Sequence, residues 1–177
     1  MDRKLGALIG LLVLVGALVA VILIGRGSGD SGDDASSGEV PQAVIAGVTE
    51  DLESKPKLAG TDEAPPTGLV KKDIVVGDGA EAKDGDTVKV QYVGALYDKG
   101  TEFDASWTGD KPGDGFEFTI GGQQVIQGWD QGVAGMKVGG RRVLVIPPDL
   151  GYGPQGSPPT IPGNATLVFV VDLEEVE

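Results

Sequence analysis

Hydrophobic positions fall along the chain in three regimes. Residues 5–24 are an unbroken apolar run with no charge and no strongly polar side chain, and residues 25–39 (GRGSGDSGDDASSGE) hold no large aliphatic or aromatic side chain at all. From Leu69 onward a period of two takes over. Val88, Val90 and Tyr92 alternate with Lys89 and Gln91, and Phe116, Phe118 and Ile120 alternate with Glu117 and Thr119. Val143 and Val145 alternate with Leu144 and Ile146 after a charged start at Arg141 and Arg142, and residues 166–173 make a last apolar strand. A short strand over residues 74–76 ends at the turn Gly77-Asp78-Gly79. Such alternation marks half-buried β-strands. One stretch reads as helix, with Val125, Ile126, Trp129 and Val133 at i, i+1, i+4 and i+8. Gly128 and Gly132 inside it each cost about 1 kcal/mol relative to Ala, so this helix needs a sheet to hold it. The pattern predicts an α+β domain, an antiparallel sheet folded over one short helix.

The apolar run of 20 residues spans about 30 Å at the α-helical rise, enough to cross a bilayer. It is longer than a signal-peptide core of about 7 to 15 residues and continues past Ala20, which favours an uncleaved signal anchor over secretion after cleavage. Arg3 and Lys4 precede it, whereas Arg26 is soon followed by Asp30, Asp33 and Asp34, so the N-terminus is expected in the cytoplasm and the remainder outside. Residues 25–65 read as a flexible acidic linker. Val44, Ile45 and Val48 could form a short element there, but Pro56 and Pro65 interrupt any long one. The folded domain is expected over residues 66–177.

Charge and composition narrow the chemistry. The chain of 177 residues has a formal net charge of −13, with nine basic and 17 acidic residues after Pro65, and an acidic domain repels phosphate. No nucleic-acid partner is therefore expected. Cysteine and histidine are absent, which excludes disulfides, thiolate or imidazole metal sites and every Ser-His or Cys-His nucleophile. The Asp-Gly pairs at Asp78 and Asp84 lack the spaced acids of a calcium loop and read as turns, so no metal and no cofactor is expected. All nine aromatic residues lie between Tyr92 and Phe169, too many for one small sheet face.

Five ordered motifs carry a resemblance. VQYVGAL from Val90, GTEFDASW from Gly100, VIQGWDQGVAGMKVGGRR from Val125, IPPDLGYG from Ile146 and IPGNATLVFVVDL from Ile161 are similar to the FKBP-type peptidyl-prolyl cis-trans isomerases. The likeness implies a five-stranded antiparallel sheet wrapped around one short helix. It also implies a proline pocket built from Tyr92, Phe103, Asp104, Phe116, Ile126, Trp129, Tyr152 and Phe169, with Val125 and Ile161 contacting substrate. Trp129 is then the floor, the Ile126 N–H and the Tyr152 hydroxyl bond substrate carbonyls, Tyr92 pairs with Asp104, and Phe118 stays in the core. Partners by the same resemblance are proline-containing polypeptides, preferably with an apolar residue before proline, and macrolide inhibitors. Three departures stand out: about two extra residues in Gly113-Asp114-Gly115, and Ser157 and Thr160 where many members carry histidine and isoleucine. These bear on substrate preference and macrolide affinity. The alternative to an isomerase is a proline-binding or holdase module with little turnover.

The reaction needs no nucleophile. An X-Pro bond rotates over a barrier near 20 kcal/mol because rotation destroys amide resonance, which water stabilises at the polarised carbonyl. An apolar cage withdraws that stabilisation from the planar ground state more than from the twisted transition state.

Overall fold

The computed structural model describes residues 38–177. The expected anchor and most of the Gly/Ser/Asp tether lie outside the described residues, and among the described ones no helix is long and apolar enough to cross a membrane.

Strands β1 (Val70–Val75), β2 (Thr87–Leu96), β3 (Glu102–Ala105), β4 (Phe116–Thr119), β5 (Arg141–Ile146) and β6 (Leu167–Val176) form one sheet in the order β1-β5-β6-β2-β3, with β4 also on β2. All pairings are antiparallel. Six strands stand where five were expected because one edge position is split: β3 pairs with Val93, Gly94 and Ala95 of β2, and β4 pairs with residues from Thr87 to Val90. Between the two, the chain leaves the sheet. The Gly113 carbonyl accepts from Gln91 Nε2 at 2.9 Å, while the Ser106 hydroxyl donates to Gln91 Oε1 and accepts the Tyr92 N–H. The extra residues before Phe116 are thus fastened to the buried Gln91.

Helix α2 (Gln127–Val133) lies on one face of the sheet, here called inner. It begins later than the sequence pattern suggests, since Val125 precedes it and Ile126 is extended at φ −62° and ψ 148°. Its two glycines explain themselves by proximity. A Cβ on Gly128 would lie 2.5 Å from Ile146 Cγ2, and one on Gly132 would lie 2.6 Å from Leu144 Cδ1. The propensity lost at these positions is the condition for close helix–sheet approach. Arg142 closes the helix, donating from Nη1 to the carbonyls of Gly132 (2.9 Å) and Ala134 (3.2 Å) while Asp73 of β1 accepts from its Nε and Nη2. A cation on the last carbonyls is favourable for a helix of only two turns.

The linker expectation fails between residues 38 and 65. Val40 and helix α1 (Gln42–Ile45) bury Val40, Val44 and Ile45 against Val143, Val145, Val168, Val170 and Tyr97 on the outer face of the sheet. The strap continues through backbone bonds from Lys57 to Gly47 and from Ala59 to Val44. Arg141, fully buried, pairs in bidentate fashion with Asp172 (2.6 Å and 2.6 Å) and spends its remaining donors on the carbonyls of Thr49, Asp51 and Ser54. All five guanidinium donors are used. Burial pushes the Asp172 carboxyl up, and Arg141 opposes that rise.

Candidate active site

The inner face supplies the floor. Trp129, in the first turn of α2, is buried, and Tyr92, Phe116 and Phe169 stand nearly upright to its plane at 82°, 81° and 88°, with centroids 5.1, 6.0 and 5.3 Å away. Phe118 packs from the core side at 5.5 Å and is itself buried, in the core role expected of it. Phe103 of β3 meets Phe169 edge-on at 5.5 Å. Room for this pair comes from Gly94, where a Cβ would fall 2.6 Å from Phe169 and 2.9 Å from Phe103. These rings enclose a cavity of about 210 Å³, open on one side, where Phe116 and Tyr152 are exposed.

The polar groups stand at the rim. The Tyr92 hydroxyl donates to Asp104 Oδ2 at 2.7 Å. Burial first, and then the Asp104 carboxylate, push the Tyr92 phenol far above its ordinary value. The Tyr152 phenol is raised by the same two causes in the same order. Both hydroxyls therefore remain protonated donors throughout the neutral range. Because α2 starts at Gln127, the Ile126 N–H lies outside the helical ladder and has no backbone acceptor among the described residues.

The structure brings together nine of the ten expected residues: Tyr92, Phe103, Asp104, Phe116, Val125, Ile126, Trp129, Tyr152 and Phe169 all line the cavity. Ile161 does not. It is paired to Ser157 by two backbone hydrogen bonds, of 2.8 and 2.9 Å, and its side chain turns into the core cluster. Ser157 and Thr160 of the same loop are exposed. Gln124 joins the lining unannounced; its Oε1 accepts the Thr119 N–H at 2.9 Å and so ties the end of β4 to the approach to α2. Nothing in hydrophobic patterning singles out that residue. The lining holds no thiol, imidazole or serine hydroxyl; its reactive oxygens are those of Asp104, Tyr92 and Tyr152, the first two hydrogen-bonded to each other, so the cavity is equipped to bind and desolvate.

Residues 79–174 match the family model described as FKBP-type peptidyl-prolyl cis-trans isomerase. The chain belongs to this family. An FK506-binding protein of Streptomyces anulatus is 50% identical over 124 residues, which cover 69% of this chain and 97% of that protein. A probable FK506-binding protein of Corynebacterium glutamicum is 48% identical over 119 residues, 67% of this chain and 96% of that one. The crystal structure of FkpA from Escherichia coli superposes with a TM-score of 0.54 at 46% identity, covering 65% of this chain and 51% of that one. The FKBP family match thus contains the whole aromatic cavity, whereas the strap from residue 38 to 65 lies before it.

Proposed function

We propose that this FKBP-type isomerase accelerates rotation about X-Pro bonds of exported or surface polypeptides by desolvating the imide in the Trp129 cavity. The observation that carries the reading is the set of three aromatic planes upright on one buried indole, around a cavity with no thiol, imidazole or serine hydroxyl. The proline ring lies on Trp129, with Phe103, Phe116 and Phe169 as walls. Tyr92 and Asp104 fix one another. The Ile126 N–H and the Tyr152 hydroxyl hold carbonyls that flank the scissile-free, rotating bond. Each 1.36 kcal/mol by which the cage favours the twisted over the planar imide is a tenfold gain in rate.

Prolyl isomerisation measured with the full chain on Leu-Pro peptides tests this. Turnover should be strong and should fall with Phe103→Ala and Trp129→Ala, each assayed as folded protein. Peptide binding without acceleration would instead support a holdase. Substrate location follows from residues 5–24 as a membrane anchor with the domain outside. Protease added outside intact cells should then cut the chain before residue 38, and full protection would overturn that placement.

A further inference from the structure

A second hollow adjoins the aromatic cavity and shares Val125 and Ile126 with it. It encloses about 580 Å³ and runs along the exposed side of α2, between the Gly121 turn and Asp149-Leu150-Gly151. Its chemistry differs from that of the cavity. Gln123, Gln127 and Gln131 present side-chain amides, which both donate and accept, as a peptide backbone requires. None of these three amide groups has a protein partner among the described residues. Two carboxylates, Asp130 and Asp149, complete the lining and no cation belongs to it. The Asp130 Oδ1 accepts the Gly121 N–H at 2.9 Å, which fixes that side chain and leaves Oδ2 free. Lys71 approaches only the Gln131 carbonyl, at 3.4 Å.

We infer that this groove is a substrate subsite, which holds the polypeptide on one side of the proline and favours a basic side chain there through Asp149 and Asp130. The inference rests on the isomerase reading, because it places the proline in the Trp129 cavity. A chain leaving that cavity over Ile126 enters the groove directly, and the amides then take its backbone while the carboxylates select its side chain. Exposed charge pairs are weak and screened by salt, so a preference of about two- to fivefold is the scale to look for.

The test uses the full chain at low salt and peptides sharing a Leu-Pro centre, with Lys, Gln or Glu placed two to four residues before or after it. On one side only, Lys peptides should exceed Glu peptides about two- to fivefold in kcat/KM, through KM. Asp149→Asn should bring that ratio towards one, while Glu50→Gln, which removes the same charge from the strap, should leave it in place. Equal preference on both sides, or a preference that survives Asp149→Asn, would assign the effect to the overall negative charge and overturn the subsite. Calorimetric titration of the same peptides reads the Lys-to-Glu ratio as binding, so the groove is decided even if turnover is absent and only the isomerase reading fails.

Discussion

The two faces of one sheet both bury apolar side chains and do different things with them. On the inner face Leu144, Ile146, Phe118 and Phe169 meet a two-turn helix, and their rings stop short of filling the space above Trp129. On the outer face Val143, Val145, Val168 and Val170 meet the strap from Val40 onward, with Arg141 sealed beneath it. Rigid aromatic planes can prop a hollow open, because they hold their edges apart without collapsing. Short β-branched side chains close against a covering segment and leave none. The proposed function belongs to the face whose rings leave a hollow, while the valines of the other face close against the strap.

The strongest way to break this comparison is to strip the outer face. A chain beginning at Ala64 loses Val40, Val44 and Ile45, each contributing about 1.5 to 3 kcal/mol, and leaves Arg141 donors without the Thr49, Asp51 and Ser54 carbonyls. It should be less stable than a chain beginning at Gly38 by about 5 kcal/mol or more. Urea denaturation of the two decides the matter, and equal midpoints would show that the strap is an ornament. The sequence reading missed this strap for a physical reason: residues 25–65 are acidic, interrupted by proline and poor in large apolar side chains, which is how a linker looks. The signal lay elsewhere, in β5 and β6. VLVI and LVFVV are continuous apolar runs rather than alternating ones, so both faces of those strands had to be covered. Arg141 and Arg142 likewise resemble an exposed strand start until their opposite facing sends one to the strap and the other to the helix.

Inner-face residues were far more legible. Alternation located Tyr92, Phe116 and Phe118, and the motifs located the rest of the cavity except Gln124, while Ile161 packs in the adjoining core cluster rather than in the lining. Gly94 is where this legibility can be sharpened, since hydrophobic alternation does not mark it yet two rings of the site depend on its missing side chain. Gly94→Ala should cost about 1 to 3 kcal/mol through overpacking and lower kcat/KM by about tenfold by displacing Phe103 and Phe169. Val170→Ala on the outer face should lower stability by about 0.5 to 3 kcal/mol and leave kcat/KM of the folded protein unchanged. Thermal melts and peptide kinetics on the two variants separate the faces; matching kinetic losses would deny that they differ.

A smaller effect concerns the residue before proline. The cavity is walled by rings and aliphatic side chains, where an unpaired carboxylate is expensive to bury, and the chain after Pro65 is acidic. Leu-Pro and Phe-Pro peptides should be turned over faster than Glu-Pro and Asp-Pro peptides, and salt should narrow but not abolish the gap. Equal rates for Leu-Pro and Glu-Pro at low salt would contradict both causes.

The smallest expected effect is an absence of response to pH. With no histidine in the chain and, by the desolvation mechanism proposed above, no proton moved in the slow step, kcat/KM should be flat from roughly pH 6 to pH 9. The two rim phenols set what happens above that range. Burial and the Asp104 carboxylate raise both Tyr92 and Tyr152, so each keeps its proton beyond the ordinary phenol value near 10. A folded-state pKa above the unfolded one means that folding favours the protonated phenol. That contribution is fully present below about pH 10 and is lost as the pH rises towards the folded-state value. Wild-type protein should therefore lose stability above about pH 10, and Tyr92→Phe should lose less over the same interval, because the more strongly shifted phenol is gone. Denaturation midpoints at successive alkaline pH values measure this. A limb in kcat/KM near pH 6 to 7, in protein shown to be folded there, would mean that an acid or base takes part after all. Its loss in Asp104→Asn would turn Asp104 from the partner that fixes Tyr92 into the group that moves the proton.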